Sequence, residues 1–325
     1  MIKQLYSLCF LFGCTFFMFG QQSKTISTSA TNNLQIQEKK GLQLDHTTDT
    51  IAFILTKYNN ITIRSILNER DTVNLMFHTA ASHVSLTQTA TQRIKSLRLD
   101  KLYTGVKSWG GTNGTSRSSE NNSLRIGKLT WDNIAIDENE LSGHTTDGKF
   151  GPNLFRNKII EINFDTQIIL IRTQLPTIGE DYEKFDLILK NNYMYIKGLL
   201  DVGETNKYSA EFLIHSGYSG TILLDDKFVD AHNIASKLKI ISESQLKDAQ
   251  GNVLKTKKAI LPNLVIGTIN FPEMPISFFE GAIGRQKMSV LGGDLLKRFH
   301  IIIDIKNAAI YLKPNSLMKT PYTDI

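Results

Sequence analysis

The chain has 325 residues, 41% of them hydrophobic and 21% charged, with a formal net charge of +6. That much apolar sequence can bury the cores of two domains, and the composition excludes fibrous and wholly disordered classes. The basic residues are scattered rather than gathered into a stripe, so nucleic acid is not an expected partner.

Residues 1–20 have the order of a secretory signal: Lys3, an almost wholly apolar run from Leu5 to Phe19, then Gly20 before the polar Gln21 and Gln22. The apolar run is too short for a stable membrane span. The chain is therefore expected to be exported, to a periplasm or outside the cell. A second reading takes Leu11-Phe12-Gly13-Cys14 as a lipoprotein signal with Cys14 lipidated. Both cysteines, Cys9 and Cys14, lie in this segment, so the mature chain is expected to have no disulfide, thiol nucleophile or cysteine-ligated metal.

Residues 21–50, rich in Ser, Thr, Asn, Gln and Lys, read as a flexible linker. Short β-rich runs follow at 51–55, 61–67 and 73–77, with turns at Asn59-Asn60 and Glu69-Arg70-Asp71. Three landmarks then recur in one order. Phe77-His78-Thr79-Ala80-Ala81-Ser82 is answered by Ile214-His215-Ser216-Gly217-Tyr218-Ser219. Leu124-Arg125-Ile126-Gly127 is answered by Leu264-Val265-Ile266-Gly267, and Phe150-Gly151-Pro152-Asn153-Leu154-Phe155 by Leu291-Gly292-Gly293-Asp294-Leu295-Leu296. Two apolar strands follow each third landmark, at 159–164 and 168–172, then at 301–305 and 309–313. Three collinear matches at a nearly constant offset of roughly 137 to 141 positions indicate a duplication. The lobes are placed at 51–176 and 177–315, with 316–325 as a tail. Short stretches near 153–158 and 294–298 are expected to be the only regular helix both copies share.

These landmarks resemble the retropepsin-like aspartic proteases, in particular the bacterial aspartyl-protease group. The second copy is the closer match, through Val290-Leu291-Gly292-Gly293-Asp294-Leu295-Leu296-Lys297-Arg298-Phe299 and Ile303-Asp304. The first copy has drifted: Lys149 takes an apolar position, and Asn163 aligns with Asp304. The resemblance implies an all-β protein of two pseudo-symmetric, pepsin-like lobes with a central cleft. It also implies that His78 and His215 occupy the two catalytic aspartate positions. Thr79 and Ser216 would then brace the paired turns, with Gly217, Ser82 and Ser219 as further turn support.

A carboxyl pair works because like charges so close cannot both ionise, leaving one base and one acid. A neutral imidazole offers one donor and one acceptor, so that mechanism is not expected to run here. One reading is a pseudoenzyme whose cleft binds an extended peptide or carbohydrate without cleaving it. Another makes His78 and His215 an acid–base pair of a hydrolase or lyase, since imidazole titrates near neutrality. A third makes them metal ligands, with His144, Asp147 or His83 as the missing third; no metal or other cofactor is the preferred expectation. A flap is sought at 105–114, where Trp109 could offer a flat face beside Gly110 and Gly111. The polar run 116–123 that follows equally suits a disordered loop, and the second copy offers only a tight hairpin at Gln250-Gly251-Asn252. His46, His232 and His300 sit outside every landmark and read as structural.

Overall fold

Period-two burial marks strands such as Ile168–Arg172, and β-branched residues dominate others such as Ile61–Leu67 and Phe299–Asp304. The computed structural model describes residues 47–108, 111–139, 142, 145–203, 205–247, 253–279 and 286–323. In the first lobe an eight-stranded sheet runs Ile54–Leu55, Ile61–Leu67, Asp71–Phe77, Gly148–Phe150, Val84–Thr87, Leu129–Asn139, Gly111–Ile126, Lys101–Ser108. The second lobe repeats that order with Ile188–Lys190, Tyr193–Asp201, Lys207–Ile214, Ser289–Leu291, Ile222–Leu223, Ile269–Phe279, Val253–Ile266 and Ile240–Lys247. Each sheet curls back on itself. Ser65 pairs with Ile126 in the first lobe, and Leu199 with Val265 in the second.

A third, six-stranded sheet joins the lobes. Its central strands are Ile159–Asn163 from the first copy and Phe299–Asp304 from the second, paired antiparallel from Ile159↔Asp304 to Ile162↔Ile301. Asn163 does the work of its counterpart Asp304: each side chain accepts a backbone N–H three residues on and closes the following turn. The outer strand Thr47–Ala52 pairs with Ile168–Arg172, so residues 47–50 of the expected linker are strand; residues 21–46 lie outside the described residues.

The landmark glycines Gly127 and Gly267 both turn their hairpins at a φ of +59°, in the left-handed region where a side chain is strained. Inside the first lobe, Phe77, Phe150 and Phe155 pack with ring centroids 5.4–6.2 Å apart, and Trp131 closes the group edge-on at 5.6 Å from Phe155. Burying a ring of this kind is worth about 1.5–3 kcal/mol, and this cluster fixes the strand that leads into His78.

Two sequence expectations need correction. Both copies share a second helix, Gln88–Arg93 and Asp226–Ala231, capped by the equivalent Thr87 and Asp225. Each is a single polar-faced turn and a half, too short to show a 3.6-residue apolar period. The polar run 116–123 belongs to the strand Gly111–Ile126, with Ser116, Ser118, Ser119 and Asn122 buried. Its polarity is absorbed by hydrogen bonds: Ser116 donates to the Glu138 carbonyl, and Asn122 to Ser119 and Ile134. No helix among the described residues is long and apolar enough to cross a membrane.

Candidate functional site

The two turns that end Asp71–Phe77 and Lys207–Ile214 meet at the junction of the lobes. Each is set by the same backbone bonds. The N–H of His78 donates to Phe150, and that of His215 to Leu291; Ala81 then closes on His78 and Tyr218 on His215. The turns are locked to one another by crossed hydroxyls. Thr79 Oγ1 donates to the Ile214 carbonyl at 2.6 Å and accepts from the Ser216 N–H at 3.0 Å. Ser216 Oγ donates to the Phe77 carbonyl at 2.7 Å and accepts from the Thr79 N–H at 3.0 Å. Asn60 adds a bond from its side-chain amide to the Ser216 carbonyl at 2.9 Å. Four buried backbone groups are thus satisfied by two hydroxyls, which fixes the relative position of the residues before them.

Those residues are His78 and His215. Their ring centroids lie 4.5 Å apart with planes at 57°. His78 is buried, and its Nδ1 accepts the Ala80 N–H at 3.1 Å, which assigns the proton to Nε2. The Nε2 side of the ring lies over Gly217: a Cβ there would come within 2.4 Å of that nitrogen, so the second turn needs glycine where the first carries Ala80. His215 is partly buried, and its Nδ1 is a buried polar atom without a partner.

Burial pushes both imidazoles down. His215 falls to about 4, chiefly by desolvation and then by the positive charge of Lys149. His78 is held well below its ordinary value by burial first, then by the neighbouring His215 and Lys149. Near neutral pH the pair is two neutral rings, each with one donor and one acceptor. Beside it, burial raises the Tyr218 hydroxyl to about 12, against a partly opposing hydrogen bond with Ser277.

The remaining expected site residues divide. Thr79 and Ser216 brace the turns, and Gly217 carries the His78 ring. The Ser219 carbonyl accepts from the Asn59 side chain, while the Ser82 hydroxyl is exposed and bonds the adjacent His83. His83 pairs with Asp137 at 3.3 Å, and Asp147 with Arg93 and the Asn74 N–H, so neither joins the histidines. Among the described residues no three His, Cys, Asp or Glu side chains are grouped to hold a metal; His144 lies outside them. The hairpin expected to carry the flap forms, with Ser108 pairing Gly111, but Trp109 and Gly110 lie outside the described residues. The second lobe has a matching hairpin closed by Lys247↔Val253, its Gln250-Gly251-Asn252 tip likewise outside them. His300 bonds Asp165, and His232 caps a helix against Tyr208. The sequence marks Asn60 only as a turn residue; a turn Asn carries no signal of a partner 156 positions away.

No family model matches the chain, and no curated protein matches it. Its fold is similar to that in the crystal structure of aspartic proteinase from Irpex lacteus, with a TM-score of 0.55 and 13% identity over 84% of this chain and 99% of that chain. At that identity the likeness is one of fold: an all-β, two-lobed, pepsin-like architecture.

Proposed function

We propose that this protein is an exported, non-proteolytic member of the aspartic-protease-like fold that binds an extended peptide or glycan between its lobes. In this reading His78 and His215 stand at the positions of the retropepsin-like catalytic aspartates. The observation that carries it is the 4.5 Å approach of two imidazoles, both neutral near pH 7, at hydroxyl-locked turns. A carboxyl pair at that distance keeps one shared proton and so holds an acid and a base together at working pH. Two depressed imidazoles hold two bases and no acid. What remains is a rigid, neutral hydrogen-bonding floor suited to the backbone amides or hydroxyls of an extended ligand.

The same separation favours one second reading, because two rings this close can reach one bridging water. Below about pH 4 one ring gains a proton, and the pair could then act as acid and base on an ester or glycoside. Binding of the exported chain to arrays of peptides and oligosaccharides at pH 7 and pH 4, with mass spectrometry of the recovered ligands, separates the two. Capture of intact ligand at both pH values is expected. Turnover that disappears in His78→Ala while capture persists would replace the binding reading with the hydrolase or lyase.

A further inference from the structure

Strand alternation places one row of side chains on the face of each lobe's sheet opposite its main core. In the second lobe Phe212, Ile214, Ile222 and Leu291 face the core. Tyr195, Leu213, Val290 and Leu223 face the other way, as a separate apolar cluster against Ala80 and Tyr218 of the paired turns. The registers line these four up across adjacent strands: Tyr195↔Leu213↔Val290↔Leu223.

The first lobe repeats the row with different chemistry. Ile61, Ile63, Leu75, Phe77, Val84, Leu86 and Phe150 face the core. The opposite row is Thr62↔Met76↔Lys149↔Ser85. Lys149 thus stands where the second lobe has Val290, Ser85 where it has Leu223, and Thr62 where it has Tyr195. Thr62 and Ser85 are buried, and both hydroxyl oxygens lack any partner. Lys149 makes no ion pair among the described residues, and its charge bears on both histidines. The one carboxylate next along the row, Asp137, is engaged by His83. A half-buried cation with one unpaired hydroxyl on the adjacent strand, Ser85, and a second beyond Met76, Thr62, is costly unless something completes it.

We propose that this row is an anion-recognition subsite, in which the Lys149 ammonium and the Ser85 hydroxyl on the adjacent strand take the carboxylate of an acidic side chain on an extended peptide. The shape of the complement follows from the donors: an ammonium and an unpaired hydroxyl on adjacent strands, with the Asp137 carboxylate already taken by His83. Met76 within the row suits the methylenes that precede such a group. The subsite sits beside the histidine pair, so the acidic side chain would lie next to the residue held over the two rings. The inference rests on the peptide-binding reading above and gives that reading a specificity.

Two measurements on the exported chain keep the two ideas apart. The first is affinity for matched peptides carrying Glu, Gln or Lys at one position. Glu is expected to be favoured over Gln by roughly tenfold or more, with the preference erased in Lys149→Met and weakened in Ser85→Val. The second needs no peptide: the Lys149 Cε NMR signal, assigned through Lys149→Met, is followed during titration with glutarate. A saturable shift is expected. Saturation by glutarate with no peptide bound would keep the subsite and remove the peptide-binding reading. Peptide binding without acidic preference, and no glutarate shift, would remove the subsite and keep that reading. Binding of an oligouronate but of no acidic peptide, with the same dependence on Lys149, would overturn the peptide assignment in favour of a glycan acid.

Discussion

The two lobes share strand order, closure, turn geometry and hairpin glycines, yet they bury different chemistry at equivalent positions. Where the second lobe places Val290 and Leu223 on the face behind its core, the first places Lys149 and Ser85. Where the second lobe's last helix carries a buried ionic knot, the first has exposed residues. Asp294 is fully buried and holds Lys297 at 2.8 Å, Arg298 at 3.2 Å and the Thr323 N–H at 2.7 Å. Arg298 in turn donates to the carbonyls of Leu317, Met318 and Thr320, which docks the residues beyond the repeat. The counterparts Asn153, Arg156 and Asn157 are exposed on a short 3-10 turn. The lobes share what closes the barrel and differ in what each does with its second face.

The largest test of that difference is Asp294→Ala. Removing the carboxylate leaves two buried cations uncompensated, and a loss of about 3–5 kcal/mol is expected in urea unfolding. The equivalent Asn153→Ala should change stability by no more than about 0.5 kcal/mol. Equal effects at the two sites would mean that the lobes are energetically alike and that the knot is ornamental.

Acid should act where the lobes meet. Both histidines have folded-state pKa values below the unfolded 6.5, so between the two values the unfolded chain holds more protons than the folded one. Stability is then level above pH 6.5 and falls as pH drops toward 4, by roughly 3 kcal/mol at pH 4 for His215 alone. Unfolding midpoints of the parent and His215→Asn across pH 4–8 provide the check. The variant should lose less over that window, and parallel curves would sink the claim that His215 is buried neutral.

A smaller effect is expected from the crossed hydroxyls, where the lobes are equivalent. Thr79→Val strands the Ser216 N–H and the Ile214 carbonyl; Ser216→Ala strands the Thr79 N–H and the Phe77 carbonyl. Each should cost about 1–3 kcal/mol, and by similar amounts. A marked inequality would show that one turn leads and the other follows.

How much of this was readable in the sequence varies from residue to residue. Strands such as Ile61–Leu67 and Ile168–Arg172 fall where the β-rich runs put them, because both registers bury an alternating face. The duplication was legible because closure demands the same glycines and apolar pairs in both copies. The facing of His78 and His215 followed from the repeat, although their separation did not. Lys149 was visible only as an intruder at an apolar position. Ser85 beside it and Thr62 further along were silent, since they become a row only when strands distant in sequence pair. The Asp294 knot was invisible for the same reason: its partners at 317–323 lie outside both repeats.

The smallest expected change carries the sharpest contrast. Lys149→Met makes the first lobe's row more like the second's, removing a desolvated cation from beside Ser85 and Met76. Burial holds that ammonium below its usual range, so its removal should stabilise the fold, by about 1 kcal/mol. Loss of its charge also lets both imidazoles rise toward their ordinary value, so acid destabilisation should weaken along with the stability gain. A variant that is more stable, less acid-sensitive and poorer at holding carboxylate would mark Lys149 as kept for function at the expense of stability. A variant less stable than the parent would show that the lysine is structural, and that the two lobes differ by packing rather than by task.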